Sequence, residues 1–243
     1  SSLAGTQSGG TIKVAGDFDC ENGNNFRPTG VSVLLDGSTQ TLSMHANSEF
    51  YNLTSSSSST LTVSDNLDID GNFVLTAGTF DLSTGNQTLD LEGDFTISGG
   101  TFNSGTGTHT VAGSWDCSGG TFNRSTGQIS LQGDNKTLKQ GASNSFNNLL
   151  IDDNAEATLT STTTLDIDGN LQINSGATLD ISSGDNLEIA GNFEVYSTFT
   201  TGNETITLNG SSSQTFFHPS NANSVGHSNS NVNVVINNSG GTV

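Results

Sequence analysis

GNFVLTAGTFDLSTGNQTLDLE (71–92), GDFTISGGTFNSGTGTHTVA (93–112) and GSWDCSGGTFNRSTGQISLQ (113–132) are three consecutive readings of one pattern. Apolar residues alternate with polar ones at period two, which is the signature of strand and not of helix. Phe73, Phe95 and Trp115 hold one equivalent position, Leu75, Ile97 and Cys117 a second, and Phe80, Phe102 and Phe122 a third. Stacked in register, like residues form ladders, and offset aromatic stacking adds about 0.5–1.5 kcal/mol per pair. A slip of one residue would turn every phenylalanine outward, so the register is strongly specified. Ser98–Gly100 and Ser118–Gly120 are read as corners that need positive φ.

Working outward, the chain repeats at two scales. VAGDFDC from Val14 returns as VAGSWDC from Val111, and LDIDGN from Leu67 returns from Leu165, offsets of 97 and 98 residues. Within these blocks Gly16, Gly37, Gly71, Gly93, Gly113, Gly133, Gly169, Gly191 and Gly210 recur beside apolar strands. Most stand 19 to 22 residues apart. A fixed period near 20 residues is the mark of a solenoid. The expected fold is all-β: one single-domain parallel β-solenoid over 1–243, with long repeats of approximately 14–110, 111–188 and 189–243. At roughly 20 residues per coil the chain makes about twelve coils. Right-handed winding is expected, because parallel crossovers take that hand.

Composition narrows the function classes. The chain has 5 Lys plus Arg against 24 Asp plus Glu, a net charge of −19, and only 30% hydrophobic residues. That charge excludes nucleic acid and anionic membranes as partners, and no apolar run is long enough to insert into a bilayer. The opening SSLAGTQSGG lacks Met, and Asn, Ser, Thr and Gly are abundant, as expected of a mature extracellular or cell-surface product. Asn-X-Ser/Thr sequons stand at Asn52, Asn86, Asn123, Asn135, Asn203, Asn209 and Asn237. They are about as many as this composition yields by chance, so they permit glycosylation without arguing for it.

Segments such as SGGTFNSGTGTHTVAG (98–113), FNNLLIDDNAEATLTSTTTLDIDGNLQINSGATLDI (146–181) and NVVINNSGGTV (233–243) resemble repeats of large bacterial and archaeal cell-surface β-helix proteins, often adhesin- or hemagglutinin-like. The resemblance runs from about Ser8 to Val243. It implies a stalk, adhesin, sheath or surface-layer role and brings no catalytic motif.

The best candidate ligands are carboxylates. With Leu67, Ile69 and Phe73 inward, Asp68, Asp70 and Asn72 point out, and one coil later Asp90, Glu92 and Asp94 take the equivalent places. Carboxylates stacked about 4.8 Å apart repel, and an oxygen-rich set of this kind suits Ca²⁺. Asp166, Asp168 and Asn170 repeat the pattern in the second block, followed by Glu188 and Asn192. The competing reading is a solvated acidic face, and no cofactor is required. Cys20 and Cys117 are separated by about five coils, too far for a bond that needs Cα atoms within about 7 Å, so both are expected as buried free thiols.

Polysaccharide-cleaving enzymes also use parallel β-helices. Here Lys13, Arg27, Arg124, Lys136 and Lys139 are scattered, as are His45, His109, His218 and His227, and no long loop gathers them with acids. Outward Thr79, Thr101 and Thr121 beside Asp81, Asn103 and Asn123 are read as an ordinary hydrogen-bonding face. The chain opens and closes in repeat register, without a polar cap. Segments 231–243 and 1–20 are therefore expected to meet in successive copies, through Val234, Ile236 and Val243 against Ile12, Val14 and Phe18. Such an unclosed head-to-tail contact builds a filament. The expected role is a non-enzymatic, self-assembling structural protein, or a stalk segment. A carbohydrate-binding adhesin, with glycans or a cell surface as partner, is the alternative, and a polysaccharide-active β-helix enzyme the remote one.

Overall fold

The computed structural model describes residues 9–20, 25–152, 156–159, 164–183, 186–217, 225–226 and 233–243. It is all-β, with every strand pair parallel and no helix among the described residues. The chain divides into two compact units. Ser1–Gly113 with Cys117–Gly127 form the first, and Ser114–Asp116 with Gln128–Val243 the second.

The first unit is a three-sided β-solenoid. One side stacks Thr11–Val14, Ser32–Leu35, Asn52–Ser55, Phe73–Leu75 and Phe95–Ile97. The next stacks Phe18–Asp19, Gln40–Ser43, Thr60–Val63, Thr79–Asp81, Thr101–Asn103 and Thr121–Asn123. The third carries Leu67–Ile69, Leu89–Leu91 and Thr108–Val111, and Phe50 extends it by a parallel bridge to Ile69.

The second unit repeats the plan. Its sides are Trp115–Asp116, Lys136–Lys139, Glu156–Leu159, Thr178–Asp180, Thr198–Thr200 and Val225–Gly226; Gln128–Leu131, Asn148–Ile151, Leu171–Ile173, Phe193–Val195 and Phe216–Phe217; and Leu165–Ile167, Leu187–Ile189, Thr205–Leu208 and Asn233–Ile236. About nine turns are complete among the described residues, where division by roughly 20 gives about twelve. Coil length is uneven: the register offset is 19 residues for Leu187↔Ile206 and 28 for Ile206↔Val234.

The core is a set of ladders. Phe73 and Phe95 stack at 5.3 Å between ring centroids and 23° between planes, and Phe80 and Phe102 at 5.7 Å and 8°. Phe122 continues the second ladder, 6.1 Å from Phe102. All five rings are buried. The two ladders meet edge to face, Phe73 with Phe80 at 4.9 Å and Phe95 with Phe102 at 5.1 Å, the geometry the aromatic quadrupole favours. Trp115 is equally buried in the second unit, 5.5 Å from Phe146.

Glycine marks the corners for two different reasons. Gly78 and Gly100 have φ of 71° and 80°, the left-handed region that L side chains avoid. Gly93 has an ordinary φ, but a Cβ there would press on the carbonyl oxygen of Gly71 in the coil before. Gly120, expected to need positive φ, belongs to this second kind; its Cβ would meet Ile97 and the Gly100 carbonyl.

Candidate functional site

The acidic face lies on the third side of the first unit and the corner after it. Leu67, Ile69, Leu89 and Leu91 are buried, so alternation sends Asp68 and Asp90 outward, directly opposite one another in register. Asp70, Glu92 and Asp94 are also exposed. Burial first, and then the neighbouring charges of Asp90, Glu49 and Asp70, push the Asp68 carboxyl above its usual range, while Arg27 pulls it down. Arg27 is held at 2.5 Å by Glu49, and the Thr110 hydroxyl donates to Asp90. Protein groups therefore answer part of the charge on this face.

Asn72 does not join that set. Its side-chain Oδ1 accepts the backbone N–H of Asp94 at 2.8 Å, and its own N–H donates to Asn52 Oδ1 at 2.8 Å. The same device recurs in the second unit, where Asn148 accepts from Asn170 N at 2.9 Å, Asn170 from Asn192 N at 2.7 Å and Asn192 from Thr215 N at 2.9 Å. These asparagines are rungs of a corner ladder that supplies acceptors where strand pairing stops. Among the described residues no group of three or more His, Cys, Asp or Glu is arranged to hold a metal.

Buried glutamines staple other corners. Gln40 Oε1 accepts from Gly37 N at 2.9 Å while its amide nitrogen donates to Val14 O at 3.0 Å and Gly16 O at 2.6 Å. Gln214 repeats this with Gly210 N, Ile189 O and Gly191 O, at 3.0, 3.0 and 2.7 Å. The glycine-to-glutamine spacings of three and four residues were visible in the sequence, but no period drew the eye to them.

The threonine column runs one rung further than the sequence reading placed it, since Thr60 pairs with Thr79 before Thr101 and Thr121. Beside it Asn123 donates to Asn103 Oδ1 at 2.8 Å. Burial would raise the Asp81 carboxyl, but hydrogen bonds from Ser83, Thr84 and Asn103 outweigh this and hold it below its usual range.

Neither cysteine forms a disulfide among the described residues. Cys117 is fully buried, in the position that Leu75 and Ile97 fill in neighbouring coils. Cys20 is only half-buried, its Sγ 3.5 Å from Met44 Sδ and 3.6 Å from Ser48 Oγ. The full burial expected of it does not occur, although its backbone N–H still donates to Ser43 O of the next coil at 3.1 Å.

Of the expected assembly residues, Val234, Ile236 and Val243 are 46%, 63% and 46% exposed. Ile12 and Val14 are half-buried. Phe18 is already buried against Phe26 and Phe50, with centroids 5.2 and 5.3 Å away, and has no ring face left to offer a neighbour. The rest of segments 1–20 and 231–243, namely 1–8 and 231–232, lies outside the described residues, as do His218 and His227. An apolar recess opens beside Val234, lined by Phe193, Ile206, Leu208 and Phe216. The basic side chains do not converge: Lys13, Arg27 and Lys139 are paired separately with Asp36, Glu49 and Asp116. No helix among the described residues is long and apolar enough to cross a membrane. No protein-family model, curated protein or solved structure matches this chain.

Proposed function

We propose that this chain is a non-enzymatic structural protein of the cell exterior, a right-handed β-solenoid that stacks end to end on further copies into a filament, sheath or surface layer, or serves as a stalk segment. The observation that carries this reading is the uncovered apolar strand Asn233–Ile236. It pairs with Thr205–Leu208 along one edge, and Val234, Val235 and Ile236 are 46%, 39% and 63% exposed beside the recess that leads into the core. A bare parallel edge with apolar side chains is a template for another strand. In the proposed contact its partner is Thr11–Val14, which pairs among the described residues only with Ser32–Leu35 and carries half-buried Ile12 and Val14. Backbone bonds would supply affinity and the ladders register.

The test is to remove residues 1–12, or to place Pro at Val14, and to image both variants with the wild type by negative stain. Filaments in the wild type and isolated particles in the variants support the reading; filaments in all three overturn it.

One observation favours the adhesin alternative. Tyr196 and Phe217, 42% and 39% exposed, stand with ring centroids 5.2 Å apart, and the Tyr196 hydroxyl donates to Glu194 at 3.0 Å. Paired aromatic faces beside a carboxylate suit a sugar ring. Binding on a glycan array that Tyr196→Ala abolishes, in a protein that forms no filaments, would select that role. Neither role requires a cofactor. Calcium on the acidic face would be held by Asp68, Asp70, Asp90, Glu92 and Asp94, with the Asn72 amide oxygen already accepting the Asp94 N–H.

A further inference from the structure

His109 is 1% exposed and sits on the inward side of Thr108–Val111. Its strand pairs regularly with Leu89–Leu91 through Asp90↔Thr110 and Leu91↔Val111. One step earlier the ladder changes partner: the Leu89 N–H donates to His109 Nδ1, at 3.1 Å. The other ring nitrogen, Nε2, lies 2.9 Å from the carbonyl oxygen of Ser104. A carbonyl only accepts and an amide N–H only donates, so the hydrogen must sit on Nε2 and the lone pair on Nδ1. The arrangement has room for one protonation state, the neutral Nε2–H tautomer.

The ring ties three pieces of chain together. These are its own strand, the start of Leu89–Leu91, and the corner at Ser104, which is itself buried and donates its hydroxyl to Arg124 O at 2.8 Å. The Phe102 ring stands edge-on to the imidazole, 6.3 Å away.

We propose that His109 is an acid-release latch for the coil built by residues 89–111: a second proton, on Nδ1, sets two N–H donors against each other inside the core and opens that coil. Among the described residues the ring's hydrogen-bond partners are two uncharged backbone groups, Leu89 N–H and Ser104 C=O. From Leu89–Leu91 comes Leu89, with the Asp90 carboxylate on the outer side and engaged by Thr110. From Thr101–Asn103 comes Phe102, and from the corner beyond it Ser104, which meets Arg124 through that residue's backbone carbonyl. Burial holds the imidazole below its ordinary range, only partly opposed by the Ser104 bond. A histidine that binds its proton less readily when folded makes a contribution that is intact above the ordinary histidine pKa, about 6.5. That contribution is lost as pH falls toward the lower folded value.

Backbone hydrogen exchange of the intact protein, corrected for intrinsic rate, tests this between pH 7.5 and 5, above the ordinary carboxylate range. Protection of 89–91 and 104–111 should fall at least tenfold more than protection of Asn52–Ser55, whose strand lacks a histidine. In His109→Gln, if it folds, the difference between the two regions should no longer depend on pH. An equal loss of protection in both regions of the wild type overturns the latch. So does an imidazole that NMR shows titrating at about 6.5 with protection unchanged, or a folded His109→Gln that keeps the pH-dependent difference.

Discussion

At the scale of single residues, the chain solves at each corner the problem of backbone groups left behind when a strand stops. Asn170 illustrates it. Its side chain accepts the Asn192 N–H at 2.7 Å, its own N–H is taken by Asn148, and Gly169 before it lets the coils approach. Asn170→Ala should cost about 1 kcal/mol, the net worth of one such bond, measured by urea unfolding, whereas Asn170→Asp should recover most of it because the acceptor returns. Ser55 is the opposite case. It lies between Leu35 and Leu75 in an inward ladder, fully buried, and its hydroxyl has no hydrogen-bond partner among the described residues. Deleting an unsatisfied buried hydroxyl removes a desolvation cost of about 1–3 kcal/mol, so Ser55→Ala should raise the urea midpoint, and a fall would contradict this reading of the site. Little of this was legible beforehand. The glycines stood out as a period, but outward alternation made Asn72 look like a cation ligand. Whether an exposed amide faces a metal or the next coil's N–H depends on a corner geometry that alternation does not encode.

At the scale of elements, the ladders carry both the register and the stability. Phe102 packs between Phe80 and Phe122 and edge-on to Phe73 and Phe95. Phe102→Ala should therefore cost about 3–5 kcal/mol, as aromatic truncations in tight cores do. Nearest-neighbour coupling should confine the loss of hydrogen-exchange protection to adjacent coils; an even loss over the whole chain would rule out that picture. Cross-strand charge matters at the same scale. Asp68 and Asp90 face each other, and like charges directly opposite destabilise by about 0.2–1 kcal/mol. Since burial and these neighbours raise the Asp68 carboxyl above its unfolded value, folding favours its protonated form. The penalty is present at neutral pH and fades as pH falls through the folded value. Asp68→Asn should stabilise the protein by about 0.5 kcal/mol at pH 7, and that gain should shrink toward pH 4 in paired denaturation curves. The strands themselves were readable because period-two alternation and repeated glycines speak to the same register. Phe80↔Phe102↔Phe122 and Phe73↔Phe95 pair as the aligned repeats place them. The irregular coils escaped, because Phe26, Phe50 and Phe146 enter the core from stretches with at most an isolated bridge and no alternating run.

At the scale of the whole molecule, a chain of net charge −19 with 30% hydrophobic residues folds because each coil needs few inward side chains and shares them with its neighbours. Any coil left uncovered keeps unpaired backbone and half-covered ladder residues, and Asn233–Ile236 is in that position among the described residues. We propose that this edge is answered by a coil of another copy, so that the spacing between stacked strands continues through the contact. Fibre diffraction from concentrated, aligned protein measures this directly. The account predicts filaments with a meridional reflection at about 4.8 Å, the inter-strand spacing, and loss of both in Val14→Pro. Protein that stays monomeric in sedimentation at every concentration, or filaments that retain the reflection in Val14→Pro, would contradict it.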